Sequence, residues 1–308
     1  MKRRQFAGNL GLALGALALG SYTQKSWAYA GNVIKLAFDS DPVARQLREI
    51  EARSGGRLGV AVLDTHNGQA HAYRGDERFP MCSTFKLLAA GLTLKRVDRG
   101  QEQLTRRIRY DAADLVAYSP ATEKHTGAGG MSVAQLCEAA ITLSDNTAAN
   151  LLLHSLGGPA HLTAYVRSLG DQVTRLDRIE PELNQASPGD PRDTTSPNAM
   201  LSTMRQLVLG TALSADARQQ LTNWLLANTT GDQRLRAYLP AGWRVADKTG
   251  SGVHGTTNDI GILFPPDRAP LVVTAYLTGT KASAATRDAA LAEVGRLAAS
   301  LVLGEAAK

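Results

Sequence analysis

Residues 243–277 read WRVADKTGSGVHGTTNDIGILFPPDRAPLVVTAYL. Three β-prone runs lie within this stretch, at 243–246, 259–264 and 271–277. Pro265-Pro266-Asp267-Arg268 separates the last two and predicts a turn between paired strands. A helical pattern over 285–303 closes the chain. A matching β signal lies near the start, where the runs 58–63 and 69–73 flank His66-Asn67-Gly68, the sequence of a tight hairpin. Before it, Val43, Leu47 and Ile50 recur at i, i+4 and i+7 until Gly55-Gly56, which predicts a first helix. Between these ends the chain is helical in character. Ser132-Val133-Ala134-Gln135 is a capping box, a further helix runs from Asn146 to Gly157-Gly158, and Ser196-Pro197 puts a capping serine before a first-turn proline. Ser214 caps a segment containing Leu221, Trp224 and Leu225. Strands at both ends with helices between predict that the ends meet in one antiparallel sheet covered by the first and last helices. Residues 31–80 and 229–308 then form a discontinuous α/β lobe and 81–228 an all-α lobe, with a cleft between them as the natural place for chemistry.

The N-terminus is of another kind. Lys2-Arg3-Arg4 precedes an apolar, glycine-broken run over 6–20, and Ala28-Tyr29-Ala30 follows as an A-x-A pattern. This predicts a signal peptide over 1–30 rather than a membrane anchor, and so no stable membrane insertion once it is removed. Arg3-Arg4-Gln5-Phe6 fits a twin-arginine signal and equally a general basic leader. The net charge of +6 reflects 34 Lys and Arg against 28 Asp and Glu; without the four basic residues of the leader, 30 face 28. A mature chain so nearly neutral has no electrostatic case for nucleic-acid binding. The six histidines show no zinc-ligand spacing, so no metal and no cofactor is expected. The two cysteines, Cys82 and Cys137, are too few for a disulfide framework.

Three short motifs carry chemistry. Ser83-Thr84-Phe85-Lys86 places a hydroxyl and an amine three apart, on one face of a helix. A serine is a weak nucleophile until a base takes its proton, and free N–H groups of a first helical turn favour a developing oxyanion. Ser144-Asp145-Asn146 sits between two helical runs, where it either aims polar groups into a cleft or merely caps the second helix. Lys248-Thr249-Gly250 follows the run 243–246 and supplies a fixed positive charge at a strand edge; the residues upstream of it do not supply the phosphate-loop pattern. Each alone has a bland reading, but S-x-x-K, S-D-N and K-T-G in this order form the signature shared by class A β-lactamases and penicillin-binding proteins.

The segment 178–193 separates those two. It contains Arg178-Ile179-Glu180-Pro181-Glu182-Leu183-Asn184 and ends at Asp193, and it resembles the omega loop of class A serine β-lactamases. A carboxylate held beside an acyl-enzyme by a compact loop activates the water that hydrolyses it, which a penicillin-binding protein lacks. The resemblance spans nearly the whole mature chain, including Tyr118-Ser119-Pro120 and Thr256-Thr257-Asn258-Asp259. It implies an α+β two-lobe serine β-lactamase/transpeptidase-like fold: an antiparallel sheet flanked by terminal helices, an all-α lobe, and the active site at their junction.

The resemblance also implies roles. Ser83 attacks the lactam carbonyl, with Lys86, or Glu180 through a water, as base, and the N–H groups of Ser83 and Ser251 form the oxyanion hole. Ser144 passes a proton to the lactam nitrogen with support from Lys248. Asn146 binds the side-chain amide, Tyr118 walls the cleft, and Glu180 with Asn184 drives water onto the ester. Thr249, Gly250, Ser251 and an arginine meet the substrate carboxylate. That arginine is expected to be Arg234, with Arg287 as the fallback, because the strand after the lysine triad carries none. Arg178 and Asp193 tie the ends of the loop. Cys137 and Cys82 correspond to halves of two different bridges whose partner positions are Ala90 and Gly252, so both thiols are expected to be free. The expected protein is a monomeric hydrolase of penicillins and cephalosporins in the periplasm, or secreted where the host has no outer membrane. A D-alanyl-D-alanine peptidase with slow deacylation is the alternative.

Overall fold

The computed structural model describes residues 41–304; the expected leader over 1–30 lies outside the described residues. In chain order the elements are α1 (Pro42–Ser54), β1 (Arg57–Asp64), β2 (Ala70–Tyr73), β3 (Phe79–Pro80), α2 (Phe85–Asp98), β4 (Arg107–Tyr110), β5 (Gly127–Ser132), α3 (Val133–Thr142), α4 (Asn146–Leu156) and α5 (Pro159–Ser168). There follow β6 (Thr194–Thr195), α6 (Pro197–Val208), α7 (Ala215–Leu226), β7 (Arg244–Ser251), β8 (Thr257–Phe264), β9 (Leu271–Thr278) and α8 (Ala284–Leu303). Five strands from the two ends of the chain form one antiparallel sheet in the order β2-β1-β9-β8-β7.

Period-two alternation gives this sheet two apolar faces. On β9, Leu271, Val273, Ala275 and Leu277 join a core with Val43, Leu47 and Ile50 of α1 and Leu291, Val294 and Leu297 of α8. Val272 and Tyr276 of the same strand face the other way, into a core shared with Phe79, Phe85 and the mid-chain helices. Each fully buried aliphatic side chain in these layers contributes roughly 1.5–3 kcal/mol. Helix α2 is buried nearly all round, through Phe85, Leu87, Leu88, Ala89, Ala90 and Leu94, and packs against α3, α4, α5 and α7. A helix apolar on every face belongs in the interior of a lobe, and this one is rigidly held where its N-terminus meets the sheet.

The structure departs from the sequence reading in four places. Strand β7 does not stop at Ala246 but continues through the lysine triad to Ser251, pairing Lys248 with Ile260 and Gly250 with Asn258. Its polar residues had masked it, yet 245–250 are all buried. The mid-chain segment 81–228, expected to be all-α, also holds the small pair β4–β5 and supplies β6, which pairs with β3 of the preceding segment. The Gly-Ala-Gly-Gly start of β5 has low strand propensity, so its pairing comes from tertiary context. Helix α5 was not anticipated, although Gly158-Pro159 is a proper start. Helix α6 packs on β1 and β9 of the sheet, where Thr274 Oγ1 donates to Pro197 O at 2.9 Å.

Candidate active site

Ser83 lies in a short 3-10 turn, Cys82–Thr84, that runs into the N-terminus of α2. Cys82 before it is left-handed, with φ 45°, an arrangement a non-glycine residue keeps only when its surroundings enforce it. One turn later Lys86 is fully buried. Ser144, with φ 57°, and Tyr118, with φ 64°, sit on two loops that face each other, joined where Asn146 N donates to Tyr118 O at 3.0 Å. Asp145 caps α4 and also accepts from Ala121 N, Thr122 N and Thr122 Oγ1, so capping and loop fixation are one function of one carboxylate. The Tyr118 ring itself is exposed.

Side chains from four separate segments form a continuous polar chain. Ser83 Oγ donates to Glu180 Oε1 at 3.2 Å, and the same oxygen pairs with Lys86 Nζ at 3.1 Å. Lys86 Nζ also donates to Asn146 Oδ1 at 2.6 Å, to Ser144 O at 2.8 Å and to Ser144 Oγ at 3.4 Å. Lys248 Nζ, from β7, donates to Ser144 Oγ at 3.1 Å and to Thr249 O at 2.9 Å. Ser83 and Lys86, placed on one helical face by their spacing, make no hydrogen bond to each other; the ammonium is drawn toward Asn146 and Ser144, and Glu180 bridges the two. Burial pushes the Lys86 ammonium toward its neutral form, and the Glu180 carboxylate opposes that. Lys248 is pushed down to about 7, first by burial and then by the charge of Lys86, against the pull of Asp247 and Asp259. Two buried lysines on one serine hydroxyl, with a single carboxylate between the first of them and the nucleophile, form a site built to move protons.

The loop 178–193 is fastened at both ends and in the middle. Arg178 Nε donates to Asp193 Oδ2 at 2.6 Å, while Asp193 Oδ1 accepts from the backbone N–H groups of Asp177 and Arg178. Asn184 Nδ2 donates to Glu180 Oε2. Asn184 Oδ1 is buried with no partner among the described residues, an acceptor aimed at the interior. Asn150, one turn after Asn146 on α4, was missed by the sequence reading: its Oδ1 accepts from Glu180 N at 2.9 Å and its Nδ2 donates to Glu180 O at 2.8 Å. The i, i+4 spacing of the two asparagines was the available signal.

Along the edge strand β7, Thr249 Oγ1 meets Thr230 Oγ1 at 2.5 Å. Arg234 NH2 donates to Ser251 Oγ at 2.9 Å, NH1 donates to Gly250 O and Asn258 O, and Nε pairs with Asp288. Arg287 instead reaches Thr257 Oγ1 and Ala282 O, so of the two arginines Arg234 is the one in contact with Ser251. Cys82 and Cys137 are free and buried. Among the described residues no group of three His, Cys, Asp or Glu side chains is arranged to hold a metal, and no helix is long and apolar enough to cross a membrane.

Residues 42–302 match the family described as the Beta-lactamase enzyme family. The chain is similar to the β-lactamase OXY-2 of Klebsiella oxytoca, 49% identical over 84% of this chain and 89% of that one. It is similar to the β-lactamase CTX-M-8 of Citrobacter amalonaticus, 48% identical over 84% and 88%. Among solved structures it resembles an ancestral Gram-negative (GNCA) class A β-lactamase, with a TM-score of 0.82 and 69% identity over 83% of this chain and 98% of the other. A last common ancestor of Gram-negative bacteria (GNCA4) class A β-lactamase superposes with a TM-score of 0.83 and 64% identity, over 86% and 100%.

Proposed function

Since this chain belongs to the class A serine β-lactamase family and hydrolyses the β-lactam ring, conferring antibiotic resistance, we propose that it works in two steps, through an ester on Ser83. The observation that carries this reading is the shared oxygen: Glu180 Oε1 contacts both Ser83 Oγ and Lys86 Nζ.

In the first step Ser83 Oγ attacks the lactam carbonyl and its proton passes to Glu180. The developing oxyanion is held by the N–H groups of Ser83 and Ser251. The C–N bond then breaks, and Ser144 Oγ hands its proton to the lactam nitrogen. Lys86 and Lys248, both within 3.4 Å of that hydroxyl, make it a better donor. Lys86 restores its proton and takes in return the one that Glu180 received from Ser83, across their 3.1 Å contact, so the carboxylate enters the second step ionised. Arg234, Thr249, Gly250 and Ser251 bind the substrate carboxylate, Asn146 the side-chain amide, and Tyr118 forms a wall. In the second step water approaches between Glu180 and the unpaired Oδ1 of Asn184. Glu180 takes a proton from it, the hydroxide adds to the ester carbonyl, and Ser83 leaves with the proton returned.

Acylation has a second base and deacylation does not. Removing the Glu180 carboxylate removes the largest charge that opposes burial at Lys86, which shifts Lys86 further toward the neutral amine that can take the serine proton. Expected for Glu180→Ala with a chromogenic cephalosporin is therefore one burst and an adduct on Ser83 in intact mass spectra, while the wild type turns over continuously. A stable adduct in the wild type itself would instead identify a penicillin-binding protein. We further propose that residues 1–30 direct export to the periplasm and that the enzyme acts there as a monomer, its cleft lying between the helical segment 81–228 and the discontinuous α/β lobe.

A further inference from the structure

Asn258 is the second residue of β8 and is fully buried. Its Nδ2 donates one hydrogen to Pro80 O at 2.9 Å and the other to Met81 O at 3.1 Å. Its Oδ1 is buried without a partner among the described residues. A buried polar atom left unpaired costs about 1–3 kcal/mol, so packing alone would favour an apolar residue here. What the amide achieves is a grip on two successive carbonyls immediately before the turn that holds Ser83.

That turn is closed from every side. Met81 O also accepts from Thr84 N and Thr84 Oγ1, and Met81 N donates to Asp193 O. Opposite Asn258, Gly250 leaves no room for a side chain: a Cβ there would meet Met81 O at 2.8 Å and Asn258 Nδ2 at 3.2 Å. The Met81 carbonyl is thus clamped between β7 and the asparagine, and the left-handed Cys82 that follows sets where the Ser83 N–H points. The backbone of Asn258 reaches the other half of the site, since its carbonyl accepts from Arg234 NH1 while Arg234 NH2 holds Ser251.

We propose that Asn258 is the positioning residue of the oxyanion hole, fixing the Ser83 N–H through Met81 and the strand of Ser251 through Arg234. The inference rests on the acyl-enzyme reading above. Substrate need not touch Asn258, so loss of its side chain acts on the geometry of the Ser83 donor and not on the number of donors; the backbone carbonyl that accepts from Arg234 is kept in the variants. Loss of one oxyanion donor costs about 100- to 1,000-fold in rate; a retained donor displaced by up to about 1 Å costs at most about 100-fold, so roughly 30-fold is expected here.

The test uses the ester carbonyl stretch of the acyl-enzyme, which moves to higher wavenumber as the hydrogen bonds to its oxygen weaken. In a Glu180→Ala background acylated with a penicillin, Asn258→Leu is expected to raise the stretch and slow acylation about 30-fold, with little change in substrate affinity. Asn258→Asp, which keeps the shape and offers one O–H donor at most, is expected to fall between, and it decides the matter by the same band if the leucine variant fails to fold. Thr274→Val, which loses the buried bond to Pro197 O, serves as a purely structural comparison that lowers thermal stability without moving the band. A normal parent band with an unshifted band in both Asn258 variants would overturn this role. An absent ester band in the Glu180→Ala parent would overturn the acyl-enzyme reading and the proposal with it.

Discussion

Replacing Asp193 by asparagine perturbs the loop that carries Glu180 at a single atom. The Oδ1 acceptor for Asp177 N and Arg178 N is kept, but Oδ2, which meets Arg178 Nε at 2.6 Å, becomes an NH2 facing another donor. Asp193 is 1% exposed and the Arg178 side chain 15%, so water reaches the guanidinium only in part. Breaking a fully buried charge pair costs about 3–5 kcal/mol; with that partial access, and with Gln185 Oε1 still 2.7 Å from Arg178 NH1, the loss is roughly 2–3 kcal/mol. For a chain of this size that lowers the melting midpoint by about 4–6 °C. The loop does not come free, because Asn150 still brackets the Glu180 backbone and Val253 N still donates to Asn184 O. A displacement of Glu180 by about 1 Å slows the step that depends on it about 100-fold. Deacylation, which needs Glu180, Asn184 and a water in register, therefore falls by about 10- to 100-fold, and acylation by less because Lys86 is a second base. Rapid-quench measurement of the acyl-enzyme fraction beside a thermal melt tests this. An unchanged melt, or equal losses in both steps, would refute the reasoning. So would an Arg178→Leu, Asp193→Asn double variant whose stability loss is the simple sum of the two, since that additivity would mean the pair does not interact.

Two further outcomes follow from the lysine and the arginine of the β7 edge. A lysine carries its charge below its pKa, and burial with Lys86 nearby sets Lys248 at about 7, so kcat/KM for a carboxylate-bearing β-lactam is expected to fall as pH rises through about 7. In the substrate complex the bound carboxylate favours the ammonium, so kcat holds to higher pH; a pH profile with no such offset, or one whose alkaline limb survives in Lys248→Arg, would count against the assignment. Arg234→Ala removes a charged donor from Ser251 and the carboxylate site and is expected to raise KM about 10- to 100-fold, a loss of about 1.5–3 kcal/mol. Arg287→Ala, whose guanidinium lies on Thr257 and Ala282, is expected to stay within about threefold, and steady-state kinetics on both would expose a reversed pattern.

The parts of this molecule that were legible in the sequence are those whose physics is local. Val43, Leu47 and Ile50 announce α1 because a helix buries one stripe, and Ser132 with Gln135 announces α3 because a capping box closes within four residues. The chemical motifs were legible for a related reason: each packs its functional groups into three or four consecutive residues, and the fold then superposes the motifs. Strand β7 beyond Ala246 was not legible, because its core-facing residues are the polar groups of the site and break the alternation that marks a strand. Asn150 was signalled only by its spacing from Asn146, and the role of Asn258 was hidden for a deeper reason. Asn258 lies in the Thr256-Thr257-Asn258-Asp259 stretch of the resemblance, but nothing local says what its side chain holds; the carbonyls it grips lie 178 and 177 positions away. The sequence therefore names the groups that react, and the groups that aim them emerge only when strands from opposite ends of the chain are brought into register. Aim is where a site of this kind is most easily damaged. In the proposed mechanism Ser83 and Ser251 donate through their backbones, which every substitution at those positions short of proline preserves, so the strength of that oxyanion hole would be set by residues such as Asn258 and Gly250, whose side chains, or lack of one, fix where those backbones run.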